Sequence, residues 1–114
     1  MKQILGFYFI ILQLQILSQT DYGYWKRKAD SFYLQTDYIR AGNFYQNAFK
    51  KMGNKGYKED RIRYIHSAIE NGEIDSAFSV LEKIVFALGM YNAKDLEEKR
   101  EYIKIRGHRR WHEL

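Results

Sequence analysis

One run of the chain, residues 37–53 with the sequence DYIRAGNFYQNAFKKMG, limits the possible folds more than any other stretch. Apart from Ile39, its apolar residues recur at helical spacing, which predicts an amphipathic α-helix with polar side chains on its other side. Asp37 can cap the first turn, and Gly53 can adopt the left-handed conformation that ends a helix. The apolar stripe consists of Tyr38, Ala41, Phe44, Tyr45, Ala48, Phe49 and Met52.

The same apolar pattern returns 36 residues later, over residues 74–88, and Gly89 follows it directly. A duplicated amphipathic helix cannot bury its apolar stripe alone, so the repeat predicts that these helices pack with partners in a stack. The second stripe consists of Ile74, Ala77, Leu81, Ile84, Val85 and Leu88.

Further helices are predicted on both sides of this repeat. A first helix covers residues 21–35, a third covers 59–71, and a highly charged one with a single covered side covers 95–105. The chain has no Pro, and short turns with Gly separate the periodic segments, so the predicted class is all-α. The apolar faces of the first and third helices contain Trp25, Ala29 and Phe32, and Ile62, Ile65, Ala68 and Ile69.

The first 20 residues have the pattern of a secretory signal peptide. Lys2 is followed by a 14-residue apolar run, residues 4–17, and then by small polar residues. Cleavage between Ser18 and Asp21 would release an exported protein, either periplasmic or secreted. Two alternatives stay open: a buried core helix and an uncleaved membrane anchor. The run is shorter than the ~20 residues that a bilayer span needs, which disfavours the anchor. Membrane contact is expected only through an uncleaved leader.

The types of residue present do not point to catalysis or metal binding. Cys is absent, which excludes disulfides, thiolate metal sites and Cys nucleophiles. The sequence has no Gly-rich phosphate loop, nucleophile elbow or His-Glu-x-x-His motif. His108 and His112 have helical spacing, but a zinc site needs a third ligand, and Glu113 would point elsewhere on that helix. We therefore predict no enzyme activity, no metal and no cofactor.

The spacing of small and aromatic residues resembles the tetratricopeptide repeat (TPR), a family of helical hairpins. Lys28 stands where the family has Leu, Gly53 replaces its closing Pro, and Arg61 stands at the place of the second Trp. The matching residues are Trp25, Ala29, Phe32, Ala41, Tyr45 and Ala48 in the first unit, and Ile65, Ala68, Ala77, Leu81 and Ile84 in the second.

Several short motifs resemble those of small exported bacterial proteins that carry such repeats. The resemblance implies antiparallel helical hairpins over residues 21–91, stacked as a short TPR-like solenoid, and a C-terminal helical cap over residues 92–114. It also implies a scaffold for protein–protein interaction without chemistry of its own. The motifs are Lys55-Gly56-Tyr57, Asp60-Arg61, Asn71-Gly72-Glu73 and Arg110-Trp111-His112-Glu113-Leu114.

The same resemblance implies a partner-binding site on the concave face, which the first helix of each hairpin lines. The expected occupant is a protein or peptide, or a second copy of the chain; the alternative is that these are ordinary surface positions. Asp30 and His66 stand where the family's peptide-carboxylate clamp needs Asn, so a chaperone-tail receptor is not expected. The expected site residues are Lys26, Asp30, Tyr33, Leu34, Ile62, His66, Ile69 and Glu70.

The basic C-terminus offers a second interpretation. Cations beside the Trp111 ring can bind a polyanion, although the predicted leader argues against nucleic acid and leaves an anionic glycan or lipid headgroup. The preferred interpretation is that Trp111 is an apolar contact of the cap, with solvated arginines around it. A third possibility is a structural subunit of an envelope assembly. The basic residues are Lys104, Arg106, Arg109 and Arg110.

Overall fold

The structure is a computed structural model that describes residues 21–87, 89 and 99–114. The predicted signal peptide, Leu88 and residues 90–98 lie outside the described residues. Within the described part, every regular element is helical and no strand is present, which confirms the all-α class. None of the helices in these residues has both the length and the apolar content needed to span a bilayer.

The described helices follow the predicted order along the chain. The first three begin and end within three residues of the predicted bounds. The elements are α1 (Tyr22–Leu34), α2 (Tyr38–Lys50), α3 (Lys58–Glu70), α4 (Ile74–Glu82), a π-helical turn (Lys83–Ala87), a 3₁₀ helix (Arg100–Ile105) and α5 (Arg109–His112).

Aspartates cap the first two helices. The Asp21 carboxylate accepts a hydrogen bond from the Tyr24 backbone N–H at 2.6 Å. The Asp37 carboxylate accepts one from the Arg40 N–H at 3.2 Å, as its position predicts. Each cap satisfies a backbone donor that has no partner within the first helical turn. The sequence therefore determines where α1 and α2 begin.

The turn between α2 and α3 depends on two glycines. Gly53 has φ +62°, in agreement with the predicted left-handed stop. Gly56 has φ +83°, and a Cβ at this position would lie 2.3 Å from the Cδ1 atom of Phe49. Because only Gly combines positive φ with the lack of a side chain, Gly56 allows the turn to close tightly over the end of α2.

Consecutive helices pack against each other, with α1 on α2, α2 on α3 and α3 on α4, and α3 also contacts α1. This is consistent with a helical-hairpin arrangement. Ala29, Ala41 and Ala77 are fully buried, and small residues at such positions allow helices to approach closely. Predicted apolar-face residues that are buried in the core are Ala29, Ala41, Tyr45, Ala48, Phe49, Ile62, Ile65, Ala68, Ile69, Ala77, Leu81 and Ile84.

The fourth helix is shorter than predicted. The apolar pattern predicts one helix over residues 74–88, but α4 ends at Glu82 and the chain continues as a π-helical turn. A single wider turn at the end of a helix hardly changes the apolar pattern, and Ile84 remains buried within it. The wider turn places Phe86 at the surface, where 63% of it is exposed.

The described C-terminal residues pack on α3 and α4. The helix predicted over residues 95–105 is, where described, a 3₁₀ helix with Tyr102 and Ile105 buried. Residues three apart lie on one face of a 3₁₀ helix, so this element has one covered side, as predicted. Trp111 of α5 packs on Tyr102 with ring centroids 5.8 Å apart, which confirms its apolar contact.

Candidate partner-binding surface

Helices α1 and α3 lie side by side, and polar side chains connect them along their length. We call this surface, with its exposed margin at Leu34, the α1–α3 face. All of its members except Arg63 belong to the predicted partner site. The face consists of Lys26, Asp30, Tyr33, Leu34, Arg63, His66 and Glu70.

A buried carboxylate, Asp60, supports one end of the face. Asp60 is 2% exposed and accepts a hydrogen bond from the Tyr22 hydroxyl at 2.6 Å. Its other oxygen lies 3.2 Å from the Lys26 ammonium, which also pairs with Asp30 at 2.7 Å. Because Tyr22, Lys26 and Asp30 are each four residues apart, they share one side of α1. Lys26 therefore bridges a carboxylate on α1 and one on α3.

Asp30 joins three helices. Besides Lys26, its carboxylate accepts hydrogen bonds from Arg63 of α3, at 3.1 Å, and from the Tyr45 hydroxyl of α2. Burial would raise the pKa of the Asp30 carboxyl, but its hydrogen bonds and the nearby cations lower this pKa below its usual value. Burial and the bond to Asp30 raise the pKa of the Tyr45 hydroxyl, so the hydroxyl stays a donor well above neutral pH.

His66 continues the row of polar contacts toward the C-terminus. The Tyr33 hydroxyl lies 2.6 Å from Nδ1 of His66, and the centroids of the two rings are 5.5 Å apart. Nε2 of His66 lies 3.6 Å from Glu70, and Glu70 pairs at 2.7 Å with Lys104 of the 3₁₀ helix. The row thus extends from α1 across α3 to the C-terminal segment.

Three predicted site residues lie outside this row. Ile62 and Ile69 are 5% and 4% exposed and belong to the hydrophobic core, so they face the interior. Their helical spacing with Ile65 is typical of a buried stripe, and burial of this stripe takes them away from the surface. Leu34 has the opposite environment, because 74% of it is exposed at the end of α1.

The paired state of the polar groups limits what the α1–α3 face can do. Lys26 and Arg63 each keep 37% of their side chains exposed, so they can form further hydrogen bonds with a partner. In the described part of the chain, no cluster of three or more His, Asp or Glu side chains is arranged to bind a metal ion. The geometry favours a preformed polar surface with an apolar margin at Leu34.

Sequence reasoning did not identify Tyr22, Asp60 or Arg63 as part of this surface. A carboxylate in the first turn of a helix usually lies at the surface, where it interacts favourably with the positive end of the helix dipole. Nothing in the local sequence therefore indicates that Asp60 is buried. The available signal is the four-residue spacing of Tyr22, Lys26 and Asp30, which places three polar groups on one side of α1.

The basic C-terminal side chains are engaged within the chain. Arg110, expected to be solvated, has 28% of its side chain exposed and pairs with Glu82 at 2.7 Å and Asp75 at 3.4 Å. Its pKa is raised, chiefly by the hydrogen bond to Glu82. Arg109 is 89% exposed and lies 3.4 Å from Glu113. The expectation of solvated arginines is therefore wrong for Arg110, which helps to attach α5 to α4.

The two C-terminal histidines have separate environments. His108 precedes α5 and caps it, with Nδ1 accepting a hydrogen bond from the Arg110 backbone N–H at 3.1 Å. Its ring packs on Phe78 with centroids 4.7 Å apart. His112 is exposed in the last turn of α5. Nδ1 of His108 is therefore already engaged in the hydrogen bond that caps α5.

Comparison of the chain with protein-family models, with curated proteins and with solved structures finds no match.

Proposed function

We propose that this chain is an exported, TPR-like helical scaffold that binds a protein or peptide partner along the α1–α3 face and catalyses no reaction. The observation that carries the proposal is the row of contacts from Asp60 to Lys104, which brings together most of the predicted site residues. Its two halves are joined by the Arg63 guanidinium, which lies 5.0 Å from the centre of the Tyr33 ring. Apart from Lys104, this row lies on α1 and α3, the first helix of each expected hairpin, where the resemblance to TPR proteins implies a binding surface.

The geometry of the face supports binding for two physical reasons. The ion pairs hold Lys26 and Arg63 in place, so a partner loses less side-chain entropy when it uses their exposed parts. Leu34 supplies exposed apolar area at the end of α1. Protein interfaces combine apolar contact area with polar groups, and the α1–α3 face offers polar side chains along the row and apolar area at its Leu34 margin.

Export is the part of the proposal that depends on the leader. The apolar run over residues 4–17 supports it, because this run follows Lys2 and precedes small polar residues. Intact-mass measurement on natively exported material should give a chain that begins near Asp21. A mass that retains Met1 would contradict cleavage.

Site-specific photo-crosslinking tests the binding surface. Benzoylphenylalanine replaces Leu34 in one full-length variant and Phe86 in a control, because both positions are apolar and mainly exposed. After irradiation in the source cells and mass spectrometry, the Leu34 position should capture a defined partner that the Phe86 position does not. Equal capture at both positions, or none at Leu34, would contradict the assignment of the face.

A second step measures the contribution of Leu34 to affinity. Leu34→Arg should weaken binding of the captured partner about tenfold or more, since a charge would replace an apolar contact. Phe86→Arg should leave the affinity within about twofold. A captured second copy of this chain would assign the face to self-association, and sedimentation velocity would then show a dimer that Leu34→Arg dissociates.

The engaged cations favour this proposal over a polyanion-binding one. Arg110 and Lys104 form ion pairs with acidic side chains of α4 and α3. A polyanion would have to compete with these pairs, so attraction to heparin is expected to be weak and sensitive to salt.

A further inference from the structure

A cavity of about 450 Å³ lies between α2, the start of α3 and the end of α4. Its volume is in the range of pockets that accept small molecules. Phe49 and Val80 provide apolar walls, and Gln46 contributes an amide. Three cations also line it: Lys50, Arg61 and Lys83. None of the described residues that line the cavity is acidic.

Arg61 is the unusual member of this lining. It is 2% exposed, its guanidinium lies 5.1 Å from the centre of the Phe49 ring, and one of its terminal nitrogens donates to the Asn54 carbonyl. Its Nε is buried and has no hydrogen-bond partner within the described part of the chain. Almost all buried polar groups are hydrogen-bonded, so this donor is available to an acceptor that the described residues do not supply.

A second cation, Lys83, bonds the same backbone carbonyl as Arg61. The Lys83 ammonium donates to the Asn54 carbonyl at 2.7 Å, so two positive charges share one neutral acceptor. Burial lowers the pKa of Arg61, as expected for a cation whose charge is not fully compensated. A buried charge is normally paired, yet the structure shows no carboxylate partner for buried Arg61 or for the partly exposed Lys83 among the residues that it describes.

We propose that this cavity binds a small organic oxyanion, a phosphate monoester or a carboxylate. Its charged oxygens contact the Arg61 guanidinium and the Lys83 ammonium, and its apolar part lies against Phe49 and Val80. A guanidinium suits this role because its planar donors can bond two oxygens of one anion. The site is separate from the α1–α3 face, so it does not depend on the proposed partner binding.

NMR titration of the full-length chain tests the site. Phenyl phosphate and benzoate are added at constant ionic strength, and inorganic phosphate serves as the anion without an apolar part. At least one organic anion should cause saturable shifts in the amides of Asn54, Arg61 and Lys83, with a lower Kd than inorganic phosphate. The better of the two probes assigns the ligand to phosphate monoesters or to carboxylates.

Matched charge variants identify the cations that bind. Lys83→Gln should weaken binding of the better probe about tenfold, and Arg61→Gln should abolish saturable binding. Lys51→Gln, which removes one exposed lysine outside the cavity lining, should leave Kd within about twofold. If Arg61→Gln fails to fold, the comparison of Lys83→Gln with Lys51→Gln still decides. Equal losses of affinity in Lys83→Gln and Lys51→Gln, or no saturable shifts with either organic anion, would overturn the proposal.

Discussion

Asp60 and Arg61 are neighbours on α3, and each is 2% exposed, yet they meet opposite environments. Asp60 is compensated within the chain, by the Tyr22 hydroxyl and the Lys26 ammonium. Arg61 has a carbonyl and an aromatic ring as partners, and its Nε has none among the described residues. A buried charge that the chain compensates holds the fold together, whereas one left uncompensated is suited to a ligand.

This difference separates two surfaces of one helix. The side of α3 toward α1 has carboxylates and cations in alternation, so its charges fix how α1 and α3 pack. The side toward α2 and α4 has cations around a cavity. Mutations on the two sides should therefore have different consequences for stability.

The largest effect is expected for Asp60→Ala. Removing this carboxylate deprives the Tyr22 hydroxyl of its acceptor and leaves a cavity between α1 and α3, at a cost of about 3 kcal/mol in the free energy of unfolding. Urea denaturation followed by circular dichroism measures this loss. Glu59→Ala is the matched control, because Glu59 is exposed one residue away and should cost about 0.5 kcal/mol or less. Equal losses in both variants would contradict the buried role of Asp60.

A smaller, pH-dependent effect is expected for Asp30→Asn. The pKa of Asp30 is lowered in the folded state, because its hydrogen bonds and nearby cations outweigh burial. Its contribution is therefore complete above the unfolded pKa of about 4 and disappears as pH falls through the lower folded value. The free energy of unfolding of the wild type should exceed that of Asp30→Asn by about 1–2 kcal/mol at pH 7, and this difference should shrink below pH 4. A difference that stays constant from pH 7 to pH 2 would refute the ion pairing.

The smallest effect is expected for Arg61→Met in the absence of any ligand. Lys83 still donates to the Asn54 carbonyl, and Met can occupy the space over Phe49, so the loss should be about 1 kcal/mol or less. Urea denaturation in a phosphate-free buffer measures it. A loss as large as that of Asp60→Ala would show that Arg61 serves the fold, which would remove the contrast between the two residues.

The sequence pattern predicts much of the fold, because apolar periodicity and caps are local. Asp37 caps its helix as expected, and Ile65, Ala68 and Leu81 are buried as their spacing indicates. The π-helical turn after α4 is not predicted, since one wider turn leaves the periodicity nearly unchanged. The leader, the TPR resemblance and partner binding stay predictions.

The candidate sites are harder to predict, because they depend on contacts between residues distant in sequence. Asp60 is buried only because Tyr22, 38 residues away, and Lys26 lie over it. Arg61 stands out in the sequence only through the TPR resemblance, which would lead one to expect Trp at this position. Its burial beside Phe49 and the lack of a partner for its Nε follow only from the packing of α2, α3 and α4.

The packing of α1 against α3 is the central claim, and NOE spectroscopy tests it most directly. Tyr33 and His66 are 33 residues apart in sequence, with ring centroids 5.5 Å apart, and the Tyr38 ring centroid lies 5.1 Å from that of His66. The folded full-length chain should show cross-peaks between the ring protons of His66 and those of both tyrosines. If the helices are intact and both sets of cross-peaks are absent, α1 and α3 do not pack as described.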